Sequence, residues 1–352
     1  MRKNYIDISE LDYITNTKKK LIIDVRSEAE FLIDHIPGAI NLPVLNNTER
    51  KIIGTIYKKF GSFEANKSGA MIITKNISLI LQRFINIPKD IEIVVYCWRG
   101  GKRSFSLNTI LNSIGVRSNI IRGGYKSFRK LVIEKLEALP KNYKFVVIAG
   151  PTGNGKTFLL EKLEKSGENT INLEKLANHY GSVLGDINLN QPTQKSFETQ
   201  LFDSLSKLDP NKICFIESES KKIGKLNVPD VLLKKIRNSP CIQIEIPMSS
   251  RLENIKENYK YFIDHPNELL KRLIKIKQYI GVENLNNWTK LINNIEWDTF
   301  IKQIITTYYD PLYKKSLNQN YTIKVKIESN KISFNENIDF IFDKIKNLKD
   351  KI

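Results

Sequence analysis

Short, continuously apolar runs alternate along this chain with longer stretches of helical periodicity. Residues 21–26, 91–96 and 119–121 in the first part, and 143–149, 213–219 and 241–244 in the second, are rich in Ile, Val and Phe. Runs of this kind, with little polar alternation, predict buried parallel strands. Between them, 105–114, 125–139, 158–165, 174–180 and 193–208 space their apolar residues as a helix does. Ser27 followed by Glu30 three positions on is a capping box and marks a further helix start. The expected fold is α/β. A parallel-sheet domain with helices on both faces should occupy 1–138. A second α/β domain with a helical C-terminal part should occupy 139–352, the junction falling near Pro140-Lys141-Asn142.

A chain of 352 residues can build two cores. No run approaches a membrane span, and Met1-Arg2-Lys3-Asn4-Tyr5 opens no apolar leader. Three widely separated cysteines give neither a disulfide framework nor a zinc pattern, so no metal site and a reducing, cytoplasmic setting are expected. The net charge of +18 changes the picture less than its size suggests. Residues 1–138 carry 23 basic and 13 acidic side chains, and the remainder carries 33 and 25. Charge spread so evenly suits RNA as a partner, and equally suits solvated lysine faces.

The stretch Cys97-Trp98-Arg99-Gly100-Gly101-Lys102-Arg103-Ser104 follows the 91–96 strand directly. A cysteine at a strand's carboxyl end, before two glycines and a helix, sits in a nest of backbone N–H groups. Arg99, Lys102 and Arg103 add positive charge, so the Cys97 thiol is expected to have a lowered pKa and act as a nucleophile. The second strand, 143–149, runs into Gly150-Pro151-Thr152-Gly153-Asn154-Gly155-Lys156-Thr157, a complete P-loop pattern in a strand-to-helix context. Amides of Gly153, Asn154 and Gly155 should cradle a diphosphate, Lys156 should reach its terminal oxygens, and Thr157 could ligate Mg²⁺. Glu217 and Glu219 end the 213–219 strand, where an acid or Mg²⁺-positioning carboxylate belongs. Arg251 is placed as a lid arginine would be. Cys214 and Cys241 read as core fillers, and His179 and His265 as ordinary histidines. Residues 308–315 interleave aromatic and basic side chains, which suits either base stacking or helix packing.

Asp24-Val25-Arg26, His35-Ile36-Pro37-Gly38-Ala39, the Cys97 loop and Gly123-Gly124 together resemble a rhodanese domain over roughly 5–138. In that fold Asp24, Arg26 and His35 tie the sheet to the loop. The departure is five residues between Cys97 and Arg103 where many rhodaneses have four, a loop wide enough for a phosphate-sized anion and shared with cysteine-dependent phosphatases. Together with the P-loop, the segments Arg122–Lys126, 176–182, 194–198 and 217–224 resemble the tRNA 2-selenouridine synthase family. That resemblance implies tRNA as partner, with selenophosphate and geranyl diphosphate as co-substrates and no tightly bound cofactor. It implies that Arg99 and Arg103 hold the selenophosphate and that Cys97 takes up selenium, with Trp98, Gly100, Gly101, Lys102 and Ser104 forming the loop. A selenophosphate-supplying enzyme would be a further partner. Three other readings stand beside it: a rhodanese-type sulfurtransferase coupled to an NTP-dependent kinase, a phosphatase using Cys97 and Arg103, and a non-enzymatic RNA-binding adaptor.

Overall fold

The computed structural model describes residues 5–10, 20–83, 90–182, 184–185 and 190–348; the Met1–Asn4 opening lies outside them. The chain divides into two compact units. One comprises Met1–Leu136 with Pro192–Lys207, the other Glu137–Gln191 with Leu208–Ile352. The helix Gln194–Ser206, counted above with the second part, instead packs in the first unit. Its Phe197, Leu201, Phe202 and Leu205 are buried, its Thr199 bonds Asp34, and its Glu198 pairs with Arg129. Helical spacing reveals such an apolar face but not the core that receives it.

In the first unit, β1 (Tyr5–Ile6), β2 (Lys20–Asp24), β3 (Ile40–Asn41), β4 (Glu92–Tyr96) and β5 (Ser118–Ile121) form one sheet. The order is β1-β5-β4-β2-β3 with every pairing parallel. The central strand β4 has Ile93, Val94, Val95 and Tyr96 fully buried, which explains its unbroken apolar run. Asp24 and Arg26 are also buried and form an ion pair at 2.6 Å, with the Arg26 guanidinium 4.0 Å from the Tyr125 ring centroid. Both ends of this charge pair are satisfied, as burial requires. His35 stacks on Phe31 and bonds its carbonyl through Nδ1 at 3.0 Å. Asp24 and Arg26 thus support the sheet, whereas His35 packs on Phe31 of the preceding helix.

The second unit holds β6 (Lys144–Ala149), β7 (Asn169–Ile171), β8 (Ile213–Glu217), β11 (Cys241–Glu245) and β12 (Ile323–Glu328). Their order is β12-β11-β6-β8-β7, again all parallel. A small hairpin of β9 (Lys222–Ile223) and β10 (Leu226–Asn227) stands apart. The C-terminal part is helical as expected except for β12. There Ile323, Val325 and Ile327 alternate with Lys324, Lys326 and Glu328 on an edge strand, a two-residue period. The helices of 248–309 surround a second core containing Leu273, Trp288, Phe300 and Tyr308. Tyr308 therefore serves helix packing. Among the described residues no helix is long and apolar enough to cross a membrane.

Candidate active site

Each unit carries one of the two predicted motifs at the carboxyl end of its central strand, the usual place for a ligand in a parallel sheet. In the first unit Cys97 leaves β4 and is 4% exposed. Its Sγ accepts hydrogen bonds from the Gly101 amide at 3.2 Å and from Ser104 Oγ at 3.3 Å. The loop is pinned from behind, because the Tyr125 and Lys126 amides donate to the Cys97 and Trp98 carbonyls at 2.9 and 3.0 Å. Trp98, Arg99 and Lys102 are exposed around it, and Lys195 Nζ lies 6.0 Å from the Trp98 ring centroid.

That backing requires a close approach of two backbones. Gly124 has φ +58°, and a Cβ there would lie 2.2 Å from the Cys97 carbonyl oxygen and 2.6 Å from the Gly100 nitrogen. Gly124→Ala is therefore expected to displace the loop, to cost more than about 1 kcal/mol through the backbone conformation alone, and to stop loop chemistry. Denaturant titration and activity together check it; full activity with unchanged stability would refute the close packing.

Arg103 is not aimed at the sulfur. It forms a bidentate pair with Glu30 at 2.6 and 3.2 Å, and Glu30 Oε2 also lies 4.0 Å from Arg50 Nε. Burial would raise the Glu30 carboxyl, but Arg103 and its other partners outweigh that and hold it below the usual range. Arg99 is the exposed loop arginine; Arg103 would have to exchange Glu30 for an arriving anion. Asp34, buried behind the loop, accepts from Tyr125 OH at 2.7 Å and Thr199 Oγ1 at 3.0 Å, and burial raises it despite them.

In the second unit β6 runs into the P-loop, where Gly153 and Gly155 both have positive φ. Asn154 is buried and braces the loop, its Oδ1 accepting from the Ile246 amide at 2.9 Å and its Nδ2 donating to the Pro151 carbonyl at 3.0 Å. Lys156 Nζ donates to the Gly150 carbonyl at 2.9 Å and lies 5.6 Å from the Tyr313 ring centroid. Thr157 Oγ1 donates to Glu174 at 3.2 Å, and the Glu174 amide donates to Glu217 at 2.8 Å. Glu217 is fully buried, and its Oε2 has no hydrogen-bond partner among the described residues. Burial and the neighbouring Glu174 and Glu219 push Glu217 well up; burial and Glu174 push Glu219 up to about 8. Burial alone would lower the Lys156 ammonium, but Tyr313 and the three carboxylates outweigh it and raise it.

A raised carboxyl makes folding take up a proton. The stability that Glu219 contributes is complete below its unfolded value and is lost as pH rises toward about 8. The melting temperature should accordingly fall across that window, and fall less in Glu219→Gln; identical pH profiles for the two proteins would contradict the assignment.

Arg251 differs from its expected role. It is buried, donates from Nε to the Thr152 carbonyl at 2.9 Å, and forms a bidentate pair with Asp310 at 2.9 and 2.6 Å. A side chain so engaged braces the P-loop from the side and does not close over it. Cys214 and Cys241 fill the core, and burial pushes the Cys241 thiol up to about 12. His265 is exposed and stacks on Tyr261, while His179 is buried.

Beside the P-loop opens a recess walled by Leu184, Ile255, Phe262, Trp297, Phe300 and Ile304. Thr152, Ile255 and Tyr259 line both this recess and the P-loop cleft. Its walls are almost entirely hydrocarbon. The family comparisons agree with the geometry of both units. Residues 7–131 match the model of the rhodanese-like domain, and 143–338, more than half the chain, match that of the tRNA 2-selenouridine synthase AAA domain. The chain belongs to the tRNA 2-selenouridine synthase family. Relatives named tRNA 2-selenouridine synthase include one from Nitrosomonas europaea, 37% identical over 74% of this chain and 68% of its own length. Another, from a Sulfurovum species, is 31% identical over 85% of this chain and 89% of its own. A third, from Hydrogenovibrio crunogenus, is 30% identical over 92% and 94%.

Three site residues of this family member carried no signal of their own. Glu30 belonged to a capping box, Glu174 to a helix start, and Tyr313 to the aromatic stripe of 308–315. Tyr313 OH in fact accepts from the Gly150 amide at 2.7 Å and lies 2.9 Å from Ser218 Oγ.

Proposed function

We propose that this chain converts wobble 2-thiouridine of tRNA to 2-selenouridine in the cytoplasm, by geranyl transfer followed by exchange of sulfur for selenium. The observation that carries this reading is the hydrocarbon recess beside the phosphate cradle. A nucleotide needs polar partners for its base, whereas a prenyl diphosphate needs a diphosphate cradle and an apolar wall. As packed, the recess has about 60 Å³ of free space, so a ten-carbon chain enters only as its walls yield.

In the first step the base sulfur attacks C1 of geranyl diphosphate. The C1–O bond breaks, diphosphate leaves onto the P-loop amides and Lys156, and the base loses its N3 proton. Alkylation makes the sulfur a neutral thiol leaving group. In the second step the Cys97 thiolate attacks the phosphorus of selenophosphate, held by Arg99 and by Arg103 once released from Glu30. The P–Se bond breaks, hydrogen selenide leaves and adds to C2, geranylthiol departs as N3 regains its proton, and water hydrolyses the S-phosphocysteine to phosphate. No cofactor is tightly bound; a selenophosphate-supplying enzyme would provide the donor. Mg²⁺, where present, would be held by Thr157, Glu174 and Glu217, and would supply charge neutralisation for the leaving diphosphate.

Purified protein given thiolated tRNA, geranyl diphosphate and selenophosphate should yield S-geranylated and then selenated nucleosides by mass spectrometry. Steady ATP turnover without tRNA would favour the kinase reading, and phosphate release from aryl phosphates the phosphatase reading. Unchanged nucleosides would leave the proposal without support.

A further inference from the structure

The segment Asn47–Gln82 is a helix sharply bent at Gly61 (φ 84°, ψ −176°). Ideal Cβ placement at Gly69 falls 3.8 Å from the Ile53 side chain, so the two arms fold back on one another. The buried stripe Ala65, Gly69, Ile73, Ile77 and Ile80 accounts for the packing of the second arm. It does not account for Tyr57, Phe60 and Phe63, which flank the bend and are 61%, 68% and 76% exposed. Three large aromatic side chains so placed within seven residues form an apolar patch that a free surface does not favour.

The charge beside that patch is one-sided. Lys51, Lys58 and Lys59 are exposed, while Glu49 accepts from the Asn46 amide and Glu64 pairs with Lys67. A groove of about 870 Å³ runs between the first arm and the start of the helix Glu28–Ile33. Its lining includes Ser27, Asn47, Arg50, Lys51, Tyr57 and Lys58, and no carboxylate among the described residues. Arg50 also reaches Glu30, the residue that holds Arg103 of the Cys97 loop. The groove is thus linked to the Cys97 loop through Glu30, within one unit.

We infer that this groove and the aromatic bend form the RNA-docking surface of the first unit, leading unpaired nucleotides toward Cys97. Phosphates lie along Arg50, Lys51 and Lys58, and bases stack on Tyr57, Phe60 and Phe63. Cations interleaved with exposed aromatic rings, along a groove whose described lining holds no carboxylate, match a single-stranded polyanion with π-faces. A protein partner would leave the unbalanced lysines unpaired. The inference rests on tRNA being the substrate, and it adds where the loop is held.

The test uses the full-length chain and a labelled tRNA anticodon stem-loop, with dissociation constants measured at several salt concentrations. The variant Tyr57→Ala/Phe60→Ala/Phe63→Ala alters only exposed side chains; it should keep its melting temperature and lose at least about tenfold in affinity, as removal of base-stacking platforms does. Its salt slope should be unchanged. The variant Lys51→Gln/Lys58→Gln should instead flatten the slope by about 0.7 per lost phosphate contact. Wild-type affinity and slope in both variants would overturn the surface. So would unchanged RNA binding in an aromatic variant that had lost a self-association seen for the wild type by sedimentation, since the patch would then seat a second copy. A wild-type chain that binds no stem-loop would overturn the tRNA reading, and the surface with it.

Discussion

Replacing Cys97 by alanine is expected to abolish selenium incorporation, by at least about 10³-fold as nucleophile removal does elsewhere, while S-geranylated tRNA accumulates. The separation follows from where the groups sit. Cys97 lies in the first unit, its sulfur facing the Gly101 amide and the Ser104 hydroxyl, whereas every P-loop residue belongs to the second. The thiol and the diphosphate cradle thus belong to separate units, so geranyl transfer should stay within about twofold of wild type. Cys97→Ser is the informative companion. It retains an acceptor for both donors and hardly changes volume, so the loop should stand and selenation should still fail. Nucleoside mass spectrometry reads both products at once. Loss of both would mean that the thiolate takes part in alkylation; retention of selenation in Cys97→Ser would remove the nucleophile assignment.

The two motifs were legible because each is local. Eight consecutive residues at a strand's end decide where their amides point, and Gly100, Gly153 and Gly155 all adopt the positive φ that such turns demand. The strands were equally readable, since β4 and β6 are buried on both faces and carry no polar interruption. What the sequence could not show are pairings across distance. Glu30 and Arg103 are 73 positions apart, and Tyr313 meets Gly150 across 163. Arg251 looked like a lid because its helix follows β11, yet only the fold reveals that Asp310 waits 59 positions away to bind it. The same limit applies to the helix Gln194–Ser206, whose apolar face was evident and whose host was not. The β12 edge strand escaped notice for a different reason: three lysine-flanked isoleucine and valine positions are too few to stand out against an aromatic stripe.

Lys156→Ala should slow geranyl transfer by about 10²–10³-fold, the usual consequence of removing one group that stabilises developing charge. In the resting structure Nζ is spent on the Gly150 carbonyl, with Tyr313 beneath it and Glu174, Glu217 and Glu219 around it. A diphosphate replaces that carbonyl with two formal charges, so the lysine gains more from the leaving group than from the loop. Its removal also leaves the Glu174, Glu217 and Glu219 side chains without the cation they share. Part of the loss should therefore be binding, since an arriving anion would meet uncompensated Glu174. Lys156→Arg keeps the charge but not the compact reach into the cradle, and should recover binding better than turnover. The decisive comparison supplies the variant with tRNA already S-geranylated. Selenium incorporation should then return to wild-type levels, because the later displacement uses the Cys97 loop alone. Failure of that bypass would tie the P-loop to the selenium step, and the order of the two reactions proposed above would have to be abandoned.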